Sequence, residues 1–286
     1  MSFWETVLLG ALAGFTIYLG LPFARLQILG TRSRVALSMF AVGVLAFLFV
    51  DVFEHGFEIV EEAVSGYKDG SNGLGKAIGL VMLLGAGFAA GTAGLATLER
   101  LMRPKRPAPP PIAGGSVDVL PADAASALAA RTDAARHQAL QTGMVIAVAI
   151  GLHNFAEGLA IGVSASTGEI GLATVLIIGF ALHNTTEGFG IVGPLGAVRP
   201  SWRWLGLAGL IAGGPTFLGA MVGYKVTSEP LELAFYAVSG GAILFVIGEV
   251  WNAMRRFGHR ELGLWMVTAG FMVGIITDLV VVYGGG

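Results

Sequence analysis

The chain has 286 residues, of which 55% are hydrophobic and only 13% are charged, and its formal net charge is −2. Since a soluble domain of this size carries about a quarter charged residues, the composition excludes an ordinary soluble protein and indicates a chain solvated mainly by lipid. The near-neutral charge gives no sign of a nucleic-acid partner, and the absence of cysteine excludes disulfides and thiolate metal sites.

Eight apolar stretches are long enough to cross a bilayer core, which takes roughly 20 helical residues. In chain order they cover residues 3–24, 35–59, 74–98, 138–164, 169–195, 201–225, 231–254 and 261–283. We therefore expect an all-α integral membrane protein with eight transmembrane helices.

The distribution of basic residues predicts the orientation of these helices. Lys and Arg gather in alternate connections, and of the 17 such residues only Lys68, Lys76 and Lys225 fall on the other side. By the positive-inside rule, both termini are predicted to lie outside. The predicted cytoplasmic loops are 25–34, 99–137, 196–203 and 255–260.

The 99–137 loop divides the chain into a part with three helices, residues 1–98, and a part with five, residues 138–283. Its Pro-rich section, 103–121, is expected to be a disordered linker, and its Ala-rich section, 122–136, a helix that leads into the fourth span. The N-terminus carries Glu5 instead of the basic residues of a secretory signal. With the compact length, this favours a bacterial inner membrane location.

Glycine is abundant, with 44 residues. Small residues recur four apart in the third span, for example at Gly87 and Gly91, and the sixth span contains "AGLIAGGPTFLGAMVG". Small residues at this spacing let helix backbones approach closely in lipid, so we expect these two spans to pack tightly.

The same polar motif occurs in two adjacent apolar spans. "GLHNFAEGLAIG" holds His153 and Glu157, and "ALHNTTEGFGI" holds His183 and Glu187. At a spacing of four residues, each pair shares one helix face, with its members about 6 Å apart along the axis. Because a charged side chain at mid-membrane costs at least ~2.5–3.5 kcal/mol, such residues indicate a functional site.

Two antiparallel helices that each offer an imidazole and a carboxylate at mid-depth can close around one divalent cation. Nitrogen and oxygen ligands suit Zn²⁺, and also Fe²⁺, Mn²⁺ and Cd²⁺. Asn154 and Asn184 are expected to add a carbonyl ligand or to support the ligands. Gly158 and Gly188 are expected to leave room for the ion and its water. The alternative is that the two His-Glu pairs bind each other without metal.

Acidic residues also follow the second span toward its outer end. Asp51, Glu54, His55 and Glu58 recur at spacings of 3, 4 and 7 and therefore share one helix face. We predict an acidic entrance that concentrates cations. A solvated helix end is the alternative.

The paired motifs "HNFAEGLAIG" and "HNTTEGFGI", in the fourth and fifth of eight spans after a cytoplasmic loop, resemble the ZIP (Zrt/Irt-like) family of divalent metal transporters. The resemblance implies a 3+2+3 bundle whose first and last three helices are inverted repeats, outside termini and a homodimer. It also implies that His153, Glu157, His183 and Glu187 are the central metal ligands. In some members the residues at the positions of Asn154 and Asn184 help to form a second metal site.

The chain departs from that family pattern at several positions. Members with two metals often carry an acid where this chain has Asn184 and Thr216, so we expect one main site. The cytoplasmic loop, often His-rich in the family, offers only His137. Glu249 matches a family acid near the exit and is assigned a release role. Asp278 has no assigned role.

The function predicted from the sequence is secondary transport of divalent metal into the cytoplasm, without an organic cofactor. No G-x-x-x-x-G-K-[ST] phosphate loop is present, so metal moves down its own gradient or is coupled to another ion. The alternatives are an intramembrane metal-dependent hydrolase, although H-E-x-x-H is absent, and a metal sensor without transport.

Overall fold

A computed structural model describes residues 1–25, 29–102, 122–168, 170–225 and 228–283 of the chain. Within these ranges the regular structure is helical and contains no strand. The helices are α1 (Phe3–Ala24), α2 (Thr31–Lys68), α3 (Leu74–Leu101), α4 (Ala122–Thr167), α5 (Ile170–Val192), α6 (Trp202–Lys225), α7 (Glu229–Arg255) and α8 (Arg260–Tyr283). α1 ends in a 3₁₀ turn, Leu21–Ala24, and α3 contains a single π-helical turn, Ala90–Gly94.

The helices have the length and composition of membrane spans. In the described part of the chain, seven of them, all except α5, combine sufficient length with an apolar segment that can cross a bilayer. α5 has 23 residues and carries the second His-Glu pair. The prediction of an all-helical integral membrane protein is confirmed.

Local sequence explains how several helices begin. Ser2 caps α1: its hydroxyl accepts from the Glu5 amide at 3.3 Å, and the Glu5 carboxylate accepts from the Ser2 amide at 2.8 Å. α7 begins with a proline in its first turn, where a missing amide hydrogen costs nothing, and with two acids that favour the positive end of the helix dipole.

The helices form two groups that pack against each other. α1, α4, α5 and α6 form the first group, in which α4 and α6 share the most extensive contact of the protein. α2, α3, α7 and α8 form the second group, held by α2 against α8 and α7, and by α7 against α3. α4 packs on α7, and α5 on α2, so the motif-bearing helices lie at the boundary between the groups.

Glycine produces the closest backbone approaches, as the sequence predicts. A Cβ atom on Gly219 of α6 would overlap the Phe155 carbonyl of α4. Between α3 and α7, a Cβ on Gly91 would overlap the Val238 carbonyl, and this contact lies in the π-helical turn. Small residues thus let both helix pairs pack backbone to backbone.

The fourth span extends well beyond the predicted 138–164. The predicted helix at 122–136 is confirmed and runs without interruption into the span, so α4 has 46 residues. At 1.5 Å per residue such a helix is about 69 Å long, roughly twice the bilayer core, and its first part therefore projects out of the membrane. Helical structure thus already begins within the predicted loop 99–137. The predicted disordered linker, 103–121, lies outside the described residues.

Candidate metal centre

The two His-Glu pairs meet in the interior of the helix bundle. His153 and Glu157 come from α4, His183 and Glu187 from α5, and their exposed fractions are 1%, 4%, 8% and 0%. His183 Nε2 lies 2.5 Å from Glu157 Oε1, and His153 Nε2 lies 2.9 Å from the same oxygen. His153 Nε2 is also 3.6 Å from Glu187 Oε1. All four side chains therefore converge on one small volume.

This arrangement has the dimensions of a metal-binding cluster. One ligand atom each from His153, Glu157 and His183 lie within 4.8 Å of one another. Zinc–nitrogen and zinc–oxygen bonds are about 2.0–2.2 Å long, so ligand atoms around one ion lie a few ångströms apart. Slight separation of these side chains would admit a cation between them.

Several buried polar atoms at the centre have no hydrogen-bond partner within the described part of the chain. They are His153 Nε2, Glu157 Oε2, Glu187 Oε1, Asn154 Oδ1, Asn184 Oδ1 and Thr216 Oγ1. Although His153 Nε2 is near Glu157 Oε1, its approach does not satisfy hydrogen-bond geometry. Unpaired polar atoms are costly in a protein interior, and here they are nearly all acceptors, as a cation requires.

The two asparagines hold the cluster to neighbouring helices through their amide nitrogens. Asn154 donates to Glu187 Oε2 at 3.3 Å and to the Ala212 carbonyl of α6 at 3.0 Å. Asn184 donates to the Ala13 carbonyl of α1 at 3.2 Å. Both side chains are fully buried. Asn154 thus holds the Glu187 carboxylate directly, whereas Asn184 anchors the α5 segment that carries His183.

One contact at the centre has no counterpart in the motifs. Ser239 of α7 is fully buried, and its Oγ lies 3.0 Å from His153 Nδ1. Sequence reasoning missed this residue because a serine in the apolar stretch "YAVSGGAILF" carries no spacing signal that links it to another helix. Only the packing of α4 on α7 brings the two side chains together.

The expected role of the glycines that follow each glutamate is wrong. A Cβ on Gly158 would overlap the Thr216 carbonyl of α6, and a Cβ on Gly188 would contact Gly20 of α1. The space where a side chain would lie at these two positions is therefore occupied by the backbone of neighbouring helices. The glycines instead let α4 and α5 approach their neighbours closely.

Thr216, at the position where some family members have an acid, is buried between helices. A Cβ on Gly14 of α1 would contact its side chain, which has no exposed surface. Here α6 therefore presents a neutral hydroxyl toward α1.

The predicted entrance residues lie on α2, close to the level of the centre. A Cβ atom on Gly240, which follows Ser239 in α7, would lie 3.9 Å from the side chain of Val52, the residue next to Asp51. The His55 ring is 5.7 Å from the ring of Tyr236, about one helical turn from Ser239 along α7. Glu54, His55 and Glu58 are exposed and Asp51 is half-buried. His55 Nδ1 is 2.9 Å from the Asp51 carbonyl.

The remaining predicted residues lie apart from this cluster in sequence. Glu249 is half-buried on α7, about ten residues beyond Ser239, which corresponds to roughly 15 Å along the helix. Asp278 is half-buried on α8. Neither belongs to the group of candidate metal ligands found in the described part of the chain.

The helix bundle is that of an integral membrane protein, and its centre brings together buried histidine and carboxylate groups that could hold a metal ion. The family model described as "ZIP Zinc transporter" matches residues 113–276, more than half of the chain. The chain belongs to this family, which confirms the identification made from the two motifs. The matched region comprises the helices from α4 through most of α8.

A curated relative supports the same assignment. The protein described as zinc transporter ZupT, from Clostridium perfringens (strain 13 / Type A), is 26% identical to this chain over 145 residues. The similar region covers 49% of this chain and 50% of that protein. The chain thus spans about half the length of the curated relative that it matches.

Proposed function

We propose that the protein is a secondary transporter that carries divalent metal, with Zn²⁺ as the foremost substrate, across the membrane into the cytoplasm. The central ligands are His153, Glu157, His183 and Glu187. The observation that carries the proposal is the convergence of unpaired acceptor atoms from both motifs in the membrane interior. Membership in the family supports the same activity.

The ligand chemistry favours a borderline divalent cation. Two imidazole nitrogens and two carboxylates suit Zn²⁺, and Cd²⁺, Fe²⁺ and Mn²⁺ accept the same atoms. A bound cation would offset the negative charge of Glu157 and Glu187, which lie buried together without lysine or arginine among their described contacts. The metal is cargo here, and the proposal requires no organic cofactor.

The asparagines and Thr216 are assigned supporting roles. Asn154 orients Glu187 through its amide nitrogen, and its side-chain carbonyl oxygen has no hydrogen-bond partner among the described residues. Asn184 and Thr216 supply neutral oxygens where some family members have acids. One main metal site therefore fits these residues better than two.

We infer eight membrane spans, because α5, with 23 residues, adds an eighth to the seven helices that can cross a bilayer. The distribution of basic residues indicates that both termini lie outside. Helix pairing supports two inverted repeats, α1–α3 and α6–α8. α2 packs on α8 as its counterpart α7 packs on α3. The equivalent helices of the two repeats, α1 with α6 and α2 with α7, also pack against each other. In this arrangement the chain has a three-helix part, residues 1–98, the loop 99–137, and a five-helix part, residues 138–283.

The route of the metal follows from the order of residues along the helices. The outer entrance is formed by Asp51, Glu54, His55 and Glu58. The His55 ring is 5.7 Å from that of Tyr236, which precedes Ser239 by about one turn, and the start of α7 is the outer end in the proposed topology. Glu249, farther along α7 toward the cytoplasmic end, receives the ion on release. Asp278 lies toward the outer end of α8 and keeps no assigned role.

The outer surface of the bundle is suited to lipid and to a second copy of the chain. α8 buries only 17% of its apolar segment and α3 only 22%. We propose that these helices face lipid and contribute the homodimer contact that family membership implies. The location that we propose is a bacterial plasma membrane.

The test is metal uptake into proteoliposomes that contain the wild type or the Glu187→Ala variant, measured for Zn²⁺, Cd²⁺, Fe²⁺ and Mn²⁺. We expect saturable uptake of at least Zn²⁺ by the wild type and its loss in the variant. Glu261→Ala, an exposed acid in the first turn of α8, is the matched control and should transport normally. Folded wild-type protein that binds metal without moving it would overturn the proposal in favour of a sensor or a hydrolase.

A further inference from the structure

Ser239 is the polar side chain from the second helix group that touches the metal centre in the described part of the chain. Its Oγ lies 3.0 Å from His153 Nδ1, and both side chains are buried, with exposed fractions of 0% and 1%. The other side-chain hydrogen bonds at the centre join α4 to α5 or join these helices to α1 and α6. Ser239 therefore connects the cluster to α7.

The contact concerns the nitrogen of His153 that does not face the cluster. His153 Nε2 points toward Glu157 and Glu187, at 2.9 and 3.6 Å. In a neutral imidazole one nitrogen carries the proton and the other has the lone pair that binds metal. If the Nδ1 hydrogen is donated to Ser239 Oγ, the lone pair lies on Nε2 and points into the site.

We propose that Ser239 is a positioning residue for metal binding: by accepting a hydrogen bond from His153 Nδ1, it holds the imidazole in the tautomer and orientation that present Nε2 to the cation. Metal-binding histidines generally use their second nitrogen in this way, and loss of the partner typically lowers metal affinity about 10–100-fold. Ser239 does not itself touch the metal. The inference rests on the proposed function, since it assigns His153 as a ligand.

A purely structural role for Ser239 would have different consequences. Ser239 is fully buried, and alanine at this position would fill nearly the same volume as serine. Replacing Ser239 by alanine removes one oxygen and leaves the packing volume nearly unchanged. A change in metal affinity would therefore report the hydrogen bond and not the fit between the helices.

The experiment compares Ser239→Ala and Ser239→Thr with the wild type in two measurements. The first is the KM and maximal rate of Zn²⁺ uptake into proteoliposomes, and the second is the Kd for Co²⁺ from its visible absorption in the purified protein. Ser38→Ala is the matched control, since Ser38 is also a fully buried serine but lies on α2 next to Gly193, away from the centre.

For Ser239→Ala we expect KM and the Co²⁺ Kd to rise about tenfold, at the lower end of the range for such partners, with the maximal rate within about twofold of wild type. Ser239→Thr, which keeps a hydroxyl, should recover most of the affinity, and Ser38→Ala should match the wild type. An unchanged KM and Kd in Ser239→Ala, or an equal effect of Ser38→Ala, would overturn the inference.

The experiment separates this inference from the proposed function. If Glu187→Ala abolishes uptake while Ser239→Ala behaves as wild type, the transporter assignment stands and the role of Ser239 is wrong. If the wild type shows no uptake, the proposed function itself fails, and the Co²⁺ titration alone then decides whether Ser239 supports His153.

Discussion

His183 Nε2 lies 2.5 Å from Glu157 Oε1, so the closest contact between the two motifs is between the histidine of α5 and the glutamate of α4. Each motif places its own histidine and glutamate on one face, but the structure pairs the histidine of one helix with the glutamate of the other. Glu157 also lies 2.9 Å from His153 Nε2 and therefore stands between both imidazoles. Removal of its charge should affect the centre more than any other single change.

Glu157→Gln tests this central position while keeping the size of the side chain. We expect at least a 100-fold loss of Zn²⁺ uptake and much weaker Co²⁺ binding, because an amide is a poor metal ligand. The change also removes the carboxylate beside His183 and leaves His153 with only the more distant Glu187, at 3.6 Å. Initial uptake rates and Co²⁺ titration provide the measurement. The control is Glu261→Gln on the exposed start of α8, and a Glu157→Gln variant with normal uptake would exclude Glu157 as a ligand.

Uptake should depend on pH because histidine and carboxylate ligands must be free of protons to bind metal. Acidification adds protons that compete with the cation at the centre, so the apparent affinity for Zn²⁺ should fall as the pH of the outer solution drops. The measurement is KM for uptake at a series of pH values, with the free Zn²⁺ concentration varied at each pH and held by a metal buffer. A KM that stays flat from acid to neutral pH would show that these groups do not exchange protons for metal.

The acids on α2 that we assign to the entrance should matter most at low metal concentration. Neutralising Asp51, Glu54 and Glu58 together removes the negative potential that concentrates cations, so uptake at low Zn²⁺ should fall several-fold, whereas uptake at saturating Zn²⁺ should change little. Raising the ionic strength should shrink the difference, because salt screens exposed charges. The matched control is Glu61→Ala with Glu62→Ala, two exposed acids farther along the same helix. Equal uptake by the triple variant and the wild type at low Zn²⁺ concentration would show that these acids do not act as an entrance.

The helix-packing role of Gly158 predicts a loss of stability. In Gly158→Ala the new methyl group would overlap the Thr216 carbonyl, and overpacking of this kind typically costs about 1–3 kcal/mol. The free energy of unfolding should therefore fall, measured as a lower thermal midpoint in detergent. Gly190→Ala on α5 is the control, since nothing lies within 4 Å of a Cβ there, and it should be neutral or slightly stabilising. A Gly158→Ala variant as stable as wild type would contradict the close approach of α4 and α6.

The places of the helices along the chain, and the four residues that converge at the centre, were largely predictable from the sequence. The lengths of α2 and α4 were not, since both extend well beyond the predicted spans 35–59 and 138–164. The predicted spans 201–225 and 231–254 agree closely with α6 and α7. The thickness of the bilayer sets the length of a membrane-spanning apolar segment, and such a segment is visible in the sequence as a run of consecutive apolar residues. The four motif residues were predictable because a spacing of four places side chains on one face of any helix. The family followed from the same motifs and is confirmed.

The relations between helices depended on the tertiary structure. Ser239 beside His153, Glu157 beside His183 and the backbone contact at Gly158 all depend on how far each helix is rotated and shifted against its neighbour. Periodicity defines which face of a helix is polar or small, but not the partner that this face meets. That choice results from close packing of all the helices at once, since every interface must be filled without voids or overlap.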